Sequence, residues 1–208
     1  QEIDGALYYF GEDGKLVRSR TVTLDGVVYR ADASGRLTTE LTPITGMAQA
    51  TAAQMTAYLR TVNPNVAQSV LDMIPCYLSE GAAEGIRGDI AFAQSCLETG
   101  NFTFRGSAVT LEQNNFCGMG VTSNGVKGNS FATPQLGIRA QIQHLKAYAS
   151  TAALQQACVD NRYRYVQRGC APYVEWLGIP ENPNGRGWAG GAGYGAKILR
   201  ILTAILQM

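Results

Sequence analysis

A thirteen-residue pattern occurs twice near the N-terminus. Asp4-Gly-Ala-Leu-Tyr8-Tyr-Phe-Gly-Glu-Asp-Gly14-Lys-Leu16 aligns with Asp25-Gly-Val-Val-Tyr29-Arg-Ala-Asp-Ala-Ser-Gly35-Arg-Leu37, 21 residues further on. Each copy reads as an apolar and aromatic strand, a turn rich in Gly and Asp, and a second short strand, which is a β-hairpin. A hairpin this short cannot bury a face alone, so the copies must stack on each other or on the rest of the chain. After Pro43 the pattern changes to helical periods, which predicts a hairpin unit over residues 1–42 and a mostly helical unit over residues 43–208.

The chain has 208 residues, enough for one sizeable core plus an appendage, and its 46% apolar and 16% charged content excludes disorder for most of it. No apolar run approaches the roughly 20 residues needed to cross a bilayer, so no membrane span is expected. Opening on Gln1-Glu2 without Met, the sequence reads as a processed or truncated product. Net charge is +1, with five Lys/Arg against seven Asp/Glu before Pro43 and twelve against nine from there on. A bias this weak suits an anionic matrix and argues against a nucleic-acid partner.

The five cysteines are an odd set. Cys158 and Cys170 bracket a polar, arginine-rich run where a bridge would fix a loop with little core. Cys96 and Cys117 form a second candidate pair, leaving Cys76 as a free thiol. With His144 as the single histidine, a zinc site would need unusual ligands, and neither metal nor organic cofactor is expected.

Within the helical part, Thr51 and Gln54 form a capping-box pattern ahead of Met55, Tyr58 and Leu59. A second helical pattern covers about Val66 to Met73, and a third begins near Pro75 and runs toward Gly85. Asp89 is the expected N-cap of the next helix and Gly100 its stop. Glycines at 106, 118, 120, 125 and 128 then break the period, and Ser123-Asn124-Gly125 offers a hairpin turn. Helical patterns return at about Pro134 to Ala149 and Gly193 to Leu206, with shorter pieces at Ala152 to Ala157 and Pro172 to Leu177. The expected class is α+β: a mostly helical body with a small β-hairpin or loop lobe, plus N-terminal hairpin repeats.

Glu98 ends the run Asp89-Ile-Ala-Phe-Ala-Gln-Ser-Cys-Leu-Glu98-Thr-Gly100, which otherwise reads as a buried helix. A carboxyl group there loses water, which favours its protonated form and makes it the best candidate for a general acid. The plain alternative is a solvated glutamate in the last turn, opposing the helix dipole by roughly 0.3–1 kcal/mol. Gln94 lies one turn earlier and can reach Glu98. Glu112, in the irregular lobe, is the candidate second carboxylate across a cleft. Gln113, Asn114 and Asn115 offer neutral donors and acceptors for sugar hydroxyl and acetamido groups, and Phe116, Trp176, Trp188 and Tyr194 offer flat faces. His144 reads as a structural hydrogen-bonding residue.

The N-terminal copies resemble the cell-wall-binding repeats of Gram-positive surface proteins, which makes Tyr8, Tyr9, Phe10 and Tyr29 candidate contacts to a wall polymer. Three further segments, Ala93-Gln-Ser-Cys-Leu-Glu98-Thr-Gly100, Asn114-Asn-Phe116-Cys-Gly118-Met-Gly120 and Trp188-Ala-Gly-Gly-Ala-Gly-Tyr194-Gly-Ala-Lys-Ile198, resemble the bacterial glucosaminidases of the autolysin and flagellar-muramidase group. That resemblance covers about Thr51 to Leu206. It implies a lysozyme-like fold and hydrolysis of the β-1,4 bond after N-acetylglucosamine in peptidoglycan, outside the cell. It makes Glu98 the acid, Tyr194 the cleft tyrosine, and Trp188 the aromatic at a position where many members carry tyrosine. Either the substrate's acetamido oxygen attacks, or water does with Glu112 as base. Arg168 is expected near an anionic peptide stem. The rival readings are a muramidase or lytic transglycosylase and, from another class, a catalytically silent wall-binding protein.

Overall fold

A computed structural model describes residues 1–24, 27–121, 123 and 125–208. The Asp25-Gly26 opening of the second repeat and the Asn124 centre of the expected turn lie outside the described residues. The chain divides into two units, Gln1–Thr42 and Pro43–Met208.

In the first unit β1 (Glu2–Ile3) and β2 (Ala6–Leu7) pair antiparallel. Asp4 and Gly5 between them both have positive φ, 49° and 71°, as a two-residue turn matched to strand twist requires. A second sheet joins β3 (Arg20–Leu24), β4 (Val27–Ala31) and β5 (Leu37–Thr39) in that order. An isolated bridge from Tyr8 to Arg36 couples the first copy of the repeat to the second. Val17, Ala31 and Leu37 form a small core against which Tyr9 and Tyr29 pack. Tyr8, Tyr9, Phe10 and Tyr29 are all half-buried, so none stands free of the unit's own packing.

The second unit is built from α1 (Ala52–Val62), α2 (Gln68–Asp72), α3 (Ile74–Glu84), α4 (Gly88–Glu98), α5 (Pro134–Ala149) and α6 (Tyr194–Leu206). The Thr51–Gln54 capping box forms at the start of α1, and Gly85 ends α3 in the left-handed region at φ 70°. Helix α4 is buried on all sides over Gly88–Cys96 and packs against α3, α5 and α6. A helix buried around its whole girth sits at the centre of a core rather than on its surface, and its polar side chains need buried partners. Gly88 lets α3 and α4 close: a β-carbon there would lie 2.1 Å from the Tyr77 carbonyl oxygen.

Three expectations are corrected and one open alternative is decided. Arg87, not Asp89, precedes the first turn of α4. The Asp89 carboxylate instead pairs with Arg87 at 2.9 Å and accepts the backbone N–H groups of Gln49 and Ala50. Residues 152–157 form no helix, because Gln155 and Gln156 direct their backbone N–H groups to Glu84 on α3. The glycine-rich lobe takes its loop form: among the described residues of 101–133 no strand forms, and a 3-10 turn at Leu111–Gln113 and side-chain bonds to the backbone organise it. All five cysteines are free thiols. Cys158 is exposed against the Asp160 carbonyl, whereas Cys170, Cys96 and Cys117 are each buried in apolar packing.

Candidate active site

Glu98 is the last residue of α4, and its Oε1 accepts a hydrogen bond from the Tyr194 hydroxyl at 2.5 Å. Tyr194 opens α6, so two helix ends meet at this contact. Behind it runs a chain of buried polar groups with a single sense. The Gln141 amide N–H₂ donates to the Ala91 carbonyl and to Gln94 Oε1, both at 2.9 Å. A backbone carbonyl can only accept, so it fixes which end of the Gln141 amide is which. The Gln94 oxygen is thereby taken, and its N–H₂ donates to the Tyr194 oxygen at 2.9 Å. Tyr194 has one proton left to give, and Glu98 receives it. On the far side, Tyr77 donates to Ser95 and Ser95 to Gln141 Oε1, at 2.9 and 3.0 Å. Gln94, Ser95 and Gln141 are fully buried, so each bond avoids the cost of about 1–3 kcal/mol of an unpaired buried polar group.

With Oε1 occupied, a proton on Glu98 resides on Oε2. That oxygen faces Gly118: a β-carbon there would lie 3.7 Å away. Glu98, Gly118, Val109, Val121 and Trp188 line a cleft of about 350 Å³, within the range of about 300–1,000 Å³ usual for ligand sites. Burial pushes the Glu98 carboxyl above its ordinary pKa, and the Tyr194 bond offsets part of that rise. Tyr194 is pushed well above the ordinary phenol value by burial and by the Glu98 charge, which keeps it a donor.

The other expected site residues divide into two groups. Trp188 lines the cleft beside Glu98. Gln94, expected to touch substrate, is fully buried and donates to the Tyr194 oxygen instead. Glu112 is exposed and its carboxyl is held below the ordinary value by the Thr110 hydroxyl. It does not line the cleft. The Gln113 amide bonds the carbonyls of Gly128 and Asn129, and Asn114 bonds that of Phe131. Asn115, fully buried, bonds the Met119 carbonyl and backbone N–H. These three therefore tie the loop to itself rather than presenting groups to sugar. Phe116 sits in the core against Phe102, with ring centroids 5.9 Å apart. Arg168 donates to the Ala152 carbonyl. His144 contacts Asp160 through Nδ1 at 2.7 Å and meets the Trp188 ring edge-on at 4.9 Å. Among the described residues no cluster of His, Cys, Asp and Glu suited to a metal ion is present.

Sequence reasoning missed Gln141, Ser95 and Tyr77. Gln141 had a signal: it falls on the apolar face of α5 that carries Ile138, Ile142 and Leu145, where a polar side chain needs a partner.

The glucosaminidase family profile, described as mannosyl-glycoprotein endo-β-N-acetylglucosaminidase, matches residues 74–206, most of the second unit. The chain belongs to the glucosaminidase family. It is therefore a glycoside hydrolase, and family membership supports an action of the peptidoglycan-hydrolase kind. The matched span includes Glu98, Tyr194 and Trp188. The chain is also 40% identical over 151 residues to a Borreliella burgdorferi protein described as uncharacterized, covering 72% of this chain and 70% of that one. No solved structure matches the chain significantly. No helix among the described residues is long and apolar enough to cross a membrane.

Proposed function

We propose that this glucosaminidase cleaves the β-1,4 bond after N-acetylglucosamine in peptidoglycan, in the extracellular wall, with Glu98 as general acid. The observation that carries the reading is a carboxyl with a raised pKa at the wall of a sugar-sized cleft, one oxygen engaged by Tyr194 and the other directed to the cavity. The proton on Oε2 passes to the glycosidic oxygen as the bond to the anomeric carbon breaks. Among the described residues lining the cleft, Glu98 is the one acid. This favours attack by the substrate's own acetamido oxygen, forming an oxazolinium ion. The Glu98 carboxylate then takes a proton from water as that water opens the ring, with net retention.

Product analysis on purified peptidoglycan tests this. The expected product has a reducing N-acetylglucosamine end, first released as the β-anomer. Inversion defeats the acetamido route, an anhydro-muramic end identifies a lytic transglycosylase, a reducing muramic acid end a muramidase, and wall binding without sugar release a silent binder. The half-buried aromatics of the first unit favour a spacer over an open ligand groove for a wall polymer.

Tyr194→Phe lowers turnover by roughly 10–100-fold, since it removes the donor to Glu98 and strands the Gln94 N–H₂ in the core. The bond to Tyr194 holds the Glu98 pKa down, so its loss shifts the alkaline limb of the pH–rate profile upward. A profile with an unmoved or lowered alkaline limb contradicts this role.

A further inference from the structure

A second cavity of about 160 Å³ adjoins the Glu98 cleft and shares Cys117, Gly118, Val121 and Trp188 with it. Met119, Gly120, His144, Tyr148 and Arg162 complete its wall. We propose that this cavity is a binding subsite for a carboxylate-bearing muramyl residue of the glycan, with Arg162 supplying the charge that recognises it. The inference rests on the peptidoglycan reading of the Glu98 cleft and specifies which feature of that polymer the protein reads.

Three observations point to an anion. Arg162 has no carboxylate partner of its own among the described residues: the buried pairs of this unit are Arg87–Asp89, Arg139–Glu80, Lys146–Glu84 and His144–Asp160. The nearest acid in sequence, Asp160, is committed elsewhere. Its Oδ2 meets His144 and its Oδ1 accepts the backbone N–H of Arg162, not the guanidinium. A second cation shares an aromatic ring with the first, since the guanidinium carbons of Arg162 and Arg164 lie 5.7 and 4.9 Å from the centre of the Tyr165 ring. The local charge on this side of the cavity is therefore positive, which favours an anion.

The remaining wall suits the apolar face of a sugar. Trp188 is braced edge-on by His144 at 4.9 Å and at a tilt by Tyr148 at 5.8 Å, so its ring orientation is set before any ligand arrives. His144 is in turn oriented by Asp160. Trp188 lines both cavities, so a glycan strand lying along the pair passes over one indole. Arg168, expected near an anionic stem, is occupied with the Ala152 carbonyl and stacks 5.3 Å from Tyr163. Arg162 takes over that expectation.

The recognised group is a carboxylate with two sources in peptidoglycan: the peptide stem, or the lactyl ether of a muramic acid whose stem has been removed. The test measures binding by titration calorimetry in a Glu98→Gln background, which holds the glycan uncleaved. Three tetrasaccharides are compared: one with peptide stems, one stripped to free lactyl groups, and chitotetraose, which has no carboxylate. Adding Arg162→Gln is expected to weaken binding of the carboxylate-bearing ligands about 10-fold, as loss of a charge-assisted bond does. Chitotetraose affinity stays unchanged, and Arg162→Lys restores most of the loss. Weakening confined to the first ligand assigns the stem, and weakening confined to the second assigns the lactyl group. Equal weakening of all three ligands, or of none, overturns the subsite, as does failure of the muramyl ligands to bind at all. The function itself is read separately, as release of reducing ends from peptidoglycan by the wild-type protein. Wild-type hydrolysis with no Arg162 effect rejects the subsite alone.

Discussion

Glu98→Gln lowers turnover on purified peptidoglycan by at least about 100-fold, because the amide keeps the shape of the carboxyl but has no proton to transfer. The same substitution raises the unfolding temperature near neutral pH. The sign comes from linkage. Burial pushes the folded-state pKa of Glu98 above its ordinary value, so the neutral form suits the fold and the ionised form strains it. The stability associated with this group is complete below its unfolded pKa and is lost as pH rises through the folded one. Glutamine never ionises, and its carbonyl oxygen still accepts the Tyr194 hydroxyl. The gain over wild type is therefore largest at neutral pH and disappears in acid. Thermal unfolding across pH checks this, and wild-type-like wall hydrolysis by the variant rejects Glu98 as the acid.

Glu84→Ala destabilises the second unit by about 3–5 kcal/mol, a large share of the roughly 5–15 kcal/mol typical of a whole protein. Glu84 is 2% exposed; its Oε2 accepts Lys146 Nζ at 2.8 Å and the Gln155 backbone N–H at 2.9 Å, and its Oε1 accepts that of Gln156 at 3.0 Å. Alanine leaves a buried ammonium unpaired and two backbone donors unsatisfied. Burial pushes the Glu84 carboxyl up, but the bonds from Lys146 and the two backbone groups outweigh it, and the net displacement is downward. Stability from this group is present above its unfolded pKa and is lost as pH falls through the folded one, so the gap between wild type and variant narrows in acid. Denaturant titrations at neutral and acid pH measure both effects, and a loss below about 1 kcal/mol, the level of an exposed pair, contradicts the anchoring role.

Local signals made part of this molecule legible. The Thr51–Gln54 box, the Gly85 stop and the buried helical run before Glu98 each act within one or two turns, and each appears where the residues imply it. Asp89 misled because its cap-like position was outweighed by Arg87 and by backbone donors 39 and 40 residues earlier. The 152–157 segment has a helical pattern, but a glutamate 71 residues before Gln155 claims its backbone. Cysteine spacing carries no information about which thiols face the core. Gln94 was expected to face a ligand but is buried, and its partners, Gln141 and Tyr194, lie 47 and 100 residues away on helices whose crossing no local pattern encodes. Glu112 shared the chemistry of a second carboxylate but not its place.

The sense of the hydrogen-bond chain behind Tyr194 begins at the Ala91 carbonyl, a main-chain atom that side-chain substitution cannot replace. Mutation can cut this wire at Gln141, Gln94 or Tyr194, yet no single exchange can reverse its current: flipping the Gln141 amide would set its oxygen against the Ala91 carbonyl and the Gln94 oxygen, and flipping Gln94 alone would set N–H against N–H at Gln141. The orientation of the acid at the cleft is thus inherited from the peptide backbone, and variation in this enzyme is free to break the instruction but not to invert it.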